Sequence, residues 1–143
     1  MQIHEATALN RSDDNSIPPN GPLALYFTEF ARALQAIGYV DVTSTLEQLL
    51  IDAGFVDVQC TIKKLPAGTW PKDPRNKEIG MYGLACLSIA FKSYGMAAFT
   101  RVLGKEKEEA EKMCEDAYRE CAKRSVHSWN PQVMVSGRRP EAE

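Results

Sequence analysis

Few residues of this chain have the type and spacing to do chemistry. His127 and Trp129 lie close together in "VHSWNPQ", and Trp70 sits in "LPAGTWPKDP". A histidine titrates near neutral pH, so His127 is the candidate general acid or base. Three prolines and a glycine hold residues 65–74 out of regular structure, which puts Trp70 on a loop. A loop tryptophan either plugs the core or lines a site, and both readings stay open. Asp13 and Asp14 in "NRSDDNS" could approach the same place or form a solvated turn. His4 carries no pattern. The spacing supports no Ser-His-Asp set, no paired-carboxylate site and no metal-ligand cluster.

The four cysteines, Cys60, Cys86, Cys114 and Cys121, show no CxxC spacing and read as reduced thiols. Cys114 and Cys121 share one face of a predicted helix and read as core packing. The chain has 143 residues, 44% hydrophobic and 25% charged, with a net charge of −2. That is enough for one domain with a real core. The acidic balance and the lack of a basic stripe with interleaved aromatics argue against nucleic acid as a partner. No apolar run approaches the roughly 18 residues needed to span a bilayer. The N-terminus lacks the basic start and apolar stretch of a secretion signal, so the cytoplasm, or the nucleus, is the expected location.

The elements that must position these residues can be read from periodicity. Gln2 to Thr7 is a strand candidate, followed by a long aperiodic loop from Ala8 to Pro22. Leu23, Phe27, Phe30, Leu34 and Ile37 recur at helical spacing, with Gly38 as the stop. Ser44 and Glu47 have capping-box spacing, with Ser44 as N-cap. Leu46, Leu49, Leu50 and Ala53 form the expected buried stripe, and Gly54 the C-cap. The period then changes to two, so Val56, Val58, Cys60 and Ile62 should face inward on a half-buried strand. Residues 73–104 read as two helical segments dividing around Tyr94–Gly95, the second closed by Gly104. The charged stretch after it is a helix with a narrow stripe at Ala110, Met113, Ala117 and Cys121. Its expected i,i+4 pairs are Glu108–Lys112, Glu115–Arg119 and Glu120–Arg124. A last strand carries Val133 and Val135 on one face, with Pro131 at its start or at a bulge. The domain expected is a single one over 1–140, fraying from Arg138 and ending in a loose tail at 141–143.

Several stretches carry a family resemblance: "AGFVDVQ" (53–59), "PAGTWPKDPRNKEIG" (66–80), "FTRVLG" (99–104) and "VHSWNPQVMVSGRRP" (126–140). In this order they resemble the C-terminal half of the fungal LaeA-like class I methyltransferases, S-adenosylmethionine (SAM) dependent proteins of secondary metabolism. The opening "IHEATALNRSDDNSIPP" is similar to the family's fifth strand and the loop after it. The resemblance implies an α/β fold of truncated, Rossmann-like form. Its three-stranded mixed sheet would take the order 5-7-6 in the family's numbering, under an added helical cover. It also marks a departure. The family's cofactor half has a glycine-rich turn that lets the backbone approach SAM, and this chain contains no GxG. Gly80 and Gly83 lie in a helical pattern. The first four strands of the family find no counterpart here.

The resemblance therefore implies a substrate-side half with no cofactor site of its own and no metal. SAM would bind only where a partner completes the site. The fifth-strand edge would pair with a second copy or with a methyltransferase-type partner chain. Ligands in open α/β sheets sit beyond the carboxyl ends of parallel strands. On that ground Trp70, His127 and Trp129 should converge at one end of the sheet, with Met81, Tyr82 and Asp14 beside them. They would form a pocket for an apolar small molecule. Two other functions stay open: a SAM-independent cyclase or isomerase acting through His127, and a non-catalytic binding or regulatory module.

Overall fold

A computed structural model describes residues 1–141. Strand β1 (Gln2–Ala6) leads through a long loop to helix α1 (Pro22–Ala36) and the short helix α2 (Leu46–Asp52). Strand β2 (Val56–Ala67) follows, then the long helix α3 (Pro74–Met96), which runs on into a π-helical turn at Ala97–Val102. Helix α4 (Lys107–Cys121) and strand β3 (Ser128–Arg138) complete the chain. β3 lies in the middle of the sheet, in the order β1-β3-β2, and both pairings are antiparallel. That is the 5-7-6 order. The sheet is therefore antiparallel throughout, and the expected mixed sheet is corrected: β1 and β2 run the same way, but β3 lies between them and no parallel ladder forms.

The two faces of β3 meet different partners, because side chains alternate along a strand. Val133 and Val135 are buried against Leu46 and Leu50 of α2, with Ile3, Phe55 and Val58 around them. Ser128 faces the other side, where the Cys121 thiol of α4 donates weakly to its hydroxyl at 3.9 Å. The larger core joins α1, α3, the π-turn and α4 around Leu23, Tyr26, Phe91, Phe99 and Cys114. Tyr26 is its hub: its ring meets Phe91 at 4.7 Å and Phe99 at 5.1 Å edge-on, and its hydroxyl donates to the Phe91 carbonyl.

Helix α3 packs against the end of β2 through its glycines. A Cβ on Gly80 would stand 2.1 Å from the Gly68 carbonyl oxygen, and one on Gly83 would stand 2.7 Å from that of Pro66. The expected division at Gly95 is absent. Gly95 instead makes room for Tyr26 and Cys114, both under 3 Å from where its Cβ would lie. The helix changes character only at the π-turn, and the chain then turns at Gly104 with φ +68°.

Several local expectations are corrected. Ser44 does not cap α2; Thr45 precedes the helix and its hydroxyl donates to the Val42 carbonyl. Just before it, the Thr43 hydroxyl and backbone N–H both donate to Asp41 Oδ1, at 2.6 and 2.9 Å, in a local turn. Leu46 and Leu50 are buried, but Leu49 and Ala53 are exposed, because only one side of this seven-residue helix touches the sheet. Gly54 does close it, at φ +82°. β2 is a sheet edge that α2 covers only near its start, so Cys60 and Ile62 stay exposed. On α4, Glu115 pairs with Arg119 as expected, but Lys112 pairs with Asp116 and Glu120 turns inward. Arg138 is held in the strand, opposite Val56 and 3.0 Å from Asp57, and is not frayed. The rest of the expected tail, beyond residue 141, lies outside the described residues.

Candidate functional site

Two features carry the chemistry. The first is a polar cluster at the end of the loop after β1. His127 Nδ1 lies 2.5 Å from Asp14 Oδ2. Ser12 donates its hydroxyl to Asp14 Oδ1 at 2.7 Å, and the Ser16 backbone N–H donates to the same oxygen at 3.1 Å. The His127 backbone N–H in turn donates to Ser16 Oγ at 2.8 Å. The hydrogen bonds from Ser16, Ser12 and His127 hold the Asp14 carboxyl well below the usual carboxylate range, so it is an anion at neutral pH. The Trp70 ring lies 5.1 Å from the imidazole, and its Nε1 donates to the Ser128 carbonyl at 3.1 Å. The resemblance placed Trp70 and His127 at one end of the sheet, with Asp14 either beside them or in a solvated turn, and the fold brings these three together. An oriented imidazole beside a carboxylate can accept or donate a proton at Nε2, which has no partner among the described residues.

Trp129 does not join them. It shares its face with Val133 and Val135, is buried, and pairs through its backbone with Arg11. Lys64 Nζ lies 4.6 Å over its ring. The alternation of β3 separates it from the other face, and its Nε1 is buried with no partner. This is a correction to the expected convergence. Met81 is half exposed and lines neither of the cavities described next.

The second feature is a two-lobed groove between the sheet, α1 and α3. One lobe, about 470 Å³, runs from Thr7 past Phe27 and Phe30 to Tyr94. The other, about 430 Å³, lies between Pro66 and Tyr82. Asn10, Leu87, Ala90 and Asn130 belong to both. Of the expected pocket residues only Tyr82 is here. The aromatic helix-spaced positions on α1 were visible in the sequence as a core stripe. Nothing in the sequence showed that α3 would stand off far enough to leave part of that stripe lining a cavity.

The groove opens where β1 ends, at Ala6 to Asn10, and β1 has no strand on its outer edge among the described residues. No group of three or more His, Cys, Asp or Glu side chains there is arranged to hold a metal ion. Comparison with known proteins gives the family. The chain is 32% identical over 136 residues to the "Secondary metabolism regulator LAE1" of Cochliobolus heterostrophus, covering 92% of this chain. The chain is related to the LaeA-like methyltransferases. The LaeA-like chain is also 26% identical over 143 residues to the "Probable methyltransferase tdiE" of Emericella nidulans, and 27% identical over 121 residues to the "Protein-methionine methyltransferase laeA" of Chaetomium globosum. These matches take 99% and 83% of this LaeA-like chain. The chain spans less than half the length of these curated relatives: 43%, 45% and 38%. No protein-family model and no solved structure matches it. No helix among the described residues is long and apolar enough to cross a membrane.

Proposed function

We propose that these residues form the substrate-side part of a LaeA-like methyltransferase of fungal secondary metabolism. In this reading SAM is held by a glycine-rich segment outside them, on a partner chain or on the remainder of a longer protein. The observation that carries it is the match itself: nearly the whole chain aligns, yet it spans under half of each relative. The absence of any GxG among the 143 residues supports it, as does the unpaired edge of β1 beside the groove. An open edge of this kind invites a further strand, and a second copy of this chain is the other occupant to test. Calorimetric titration of the 143-residue chain with S-adenosylhomocysteine is expected to show no binding. The chain joined to the unaligned portion of the Cochliobolus relative is expected to bind it. Micromolar binding to the chain alone, or none to the joined protein, would overturn the reading.

The Asp14–His127 contact favours a second reading, SAM-independent proton transfer on a neutral carbonyl compound. Nδ1 is held by the carboxylate, which leaves Nε2 to take up and return a proton. The chain would then exchange deuterium from heavy water into the α-carbon of 2-tetralone faster than buffer does, and His127→Gln would abolish the excess. An equal rate with and without protein removes this reading.

A further inference from the structure

The groove has a chemical character that narrows what it can hold. Neither lobe is lined by an Asp, Glu, Lys, Arg or His. Each lobe falls within the 300–1,000 Å³ typical of small-molecule sites. The polar side chains at their junction are Asn10 and Asn130. Asn130 Nδ2 donates to the Thr7 carbonyl at 2.9 Å and to Asn10 Oδ1 at 3.2 Å, and Asn130 Oδ1 accepts from Gln132 at 2.7 Å. Asn10 Nδ2 donates to Ser128 Oγ at 2.8 Å. These bonds fix both amides yet leave one Asn10 N–H and an acceptor site on each oxygen unused. A polar rung held this firmly between two apolar lobes is how a site orients a ligand that is otherwise greasy.

We propose that the groove binds an uncharged, elongated apolar molecule: an aromatic or aliphatic group in each lobe, joined beside one carbonyl, amide or hydroxyl that meets Asn10 and Asn130. A charged ligand would lose its hydration to a wall with no counter-charge, which costs far more than burying a neutral polar group. The same argument keeps SAM, a cation with a charged amino-acid end, out of the groove and makes it the place of the methyl acceptor. That assignment of role rests on the methyltransferase reading; the binding itself does not.

The test uses the purified chain without SAM or its analogues. The probe is 6-propionyl-2-(dimethylamino)naphthalene, a neutral naphthyl ketone, and the comparator is 1-anilinonaphthalene-8-sulfonate, similar in size but anionic. The ketone is expected to saturate at one site per chain with blue-shifted emission, and the sulfonate to bind at least tenfold more weakly. Leu87→Trp, which fills the junction, should weaken the ketone at least tenfold. A second readout survives even if that variant folds poorly. Cys86 is exposed and lines the second lobe. In a Cys60→Ser background, saturating ketone should slow its alkylation by N-ethylmaleimide at least tenfold. Equal binding of the two probes, absence of saturation, or an unchanged Cys86 rate would each overturn the proposal, and absence of saturation would point to a polypeptide as occupant. Because no cofactor enters the experiment, its failure and that of the methyltransferase reading are read separately.

Discussion

The carboxylate of Glu120, near the end of α4, accepts a hydrogen bond from the backbone N–H of Leu23 at 2.9 Å, across 97 residues of sequence. It therefore caps the N-terminus of α1 in place of a local side chain, since Gly21 offers none. The position suits an anion, because the first N–H groups of a helix are unpaired and its dipole is positive there. Glu120 is 5% exposed, and its surroundings leave little room: a Cβ on Gly21 would lie 2.5 Å from Oε2. Glu120→Ala should cost about 2 kcal/mol in urea unfolding. Glu120→Gln, which keeps an acceptor oxygen, should cost less. Equal loss in the two variants would show that packing, and not the cap, is what matters.

The close approach of α3 to β2 gives a sharper prediction. Gly80→Ala places a methyl where the Gly68 carbonyl already stands, and the backbone N–H of Gly68 donates to the Gly80 carbonyl at 2.9 Å. Backbone must move, so the variant should lose about 3 kcal/mol or more. Gly38→Ala is the comparison. It meets nothing within 4 Å, and its cost of about 1 kcal/mol arises from φ +77° alone. Thermal unfolding of the two variants should rank them in that order. The reverse order would mean that the helix can slide on the strand.

Asp14 makes the stability of its loop depend on pH in a known direction. Its carboxyl is depressed from the usual 3.8 by the Ser16, Ser12 and His127 hydrogen bonds. A group whose folded value lies below its unfolded value binds fewer protons when folded. It therefore stabilises fully above the unfolded value, and that contribution fades as pH falls through the folded one. Wild type should be more stable than Asp14→Asn at pH 7, and the gap should close only below about 4. A gap that widened on acidification would contradict the network. Limited proteolysis at residues 11–16 offers a local readout of the same change.

Signals in the sequence differ in how far along the chain they reach. Helices and strands were legible where the pattern is local: the apolar spacing of α1, the alternation at Val133 and Val135, and the glycines that close α1 and α2. The 5-7-6 order came from the resemblance, and both ladders agree with it. Boundaries and caps were less legible: α2 starts one residue later than the Ser44–Glu47 spacing suggests, after a turn held by Asp41 and Thr43. The helical reading around Gly95 failed for another reason. A glycine marks either a break or a close contact, and only the position of Tyr26 tells which.

Residue order alone carries the helices and strands, the core-packing role of Cys114 and Cys121 and the lack of a glycine-rich cofactor turn, while the nearness of Trp70 and His127 followed from the family's sheet order. Tertiary structure decided which face each side chain serves. Trp129 and Asn130 are neighbours in the chain, yet the pleat of β3 sends one toward Lys64 and α2's side and the other into the groove. Periodicity records that two residues point apart. It does not record what waits on either side, because that depends on where α1 and α3 dock, and docking is set by contacts such as Gly95 on Tyr26 that are distant in sequence.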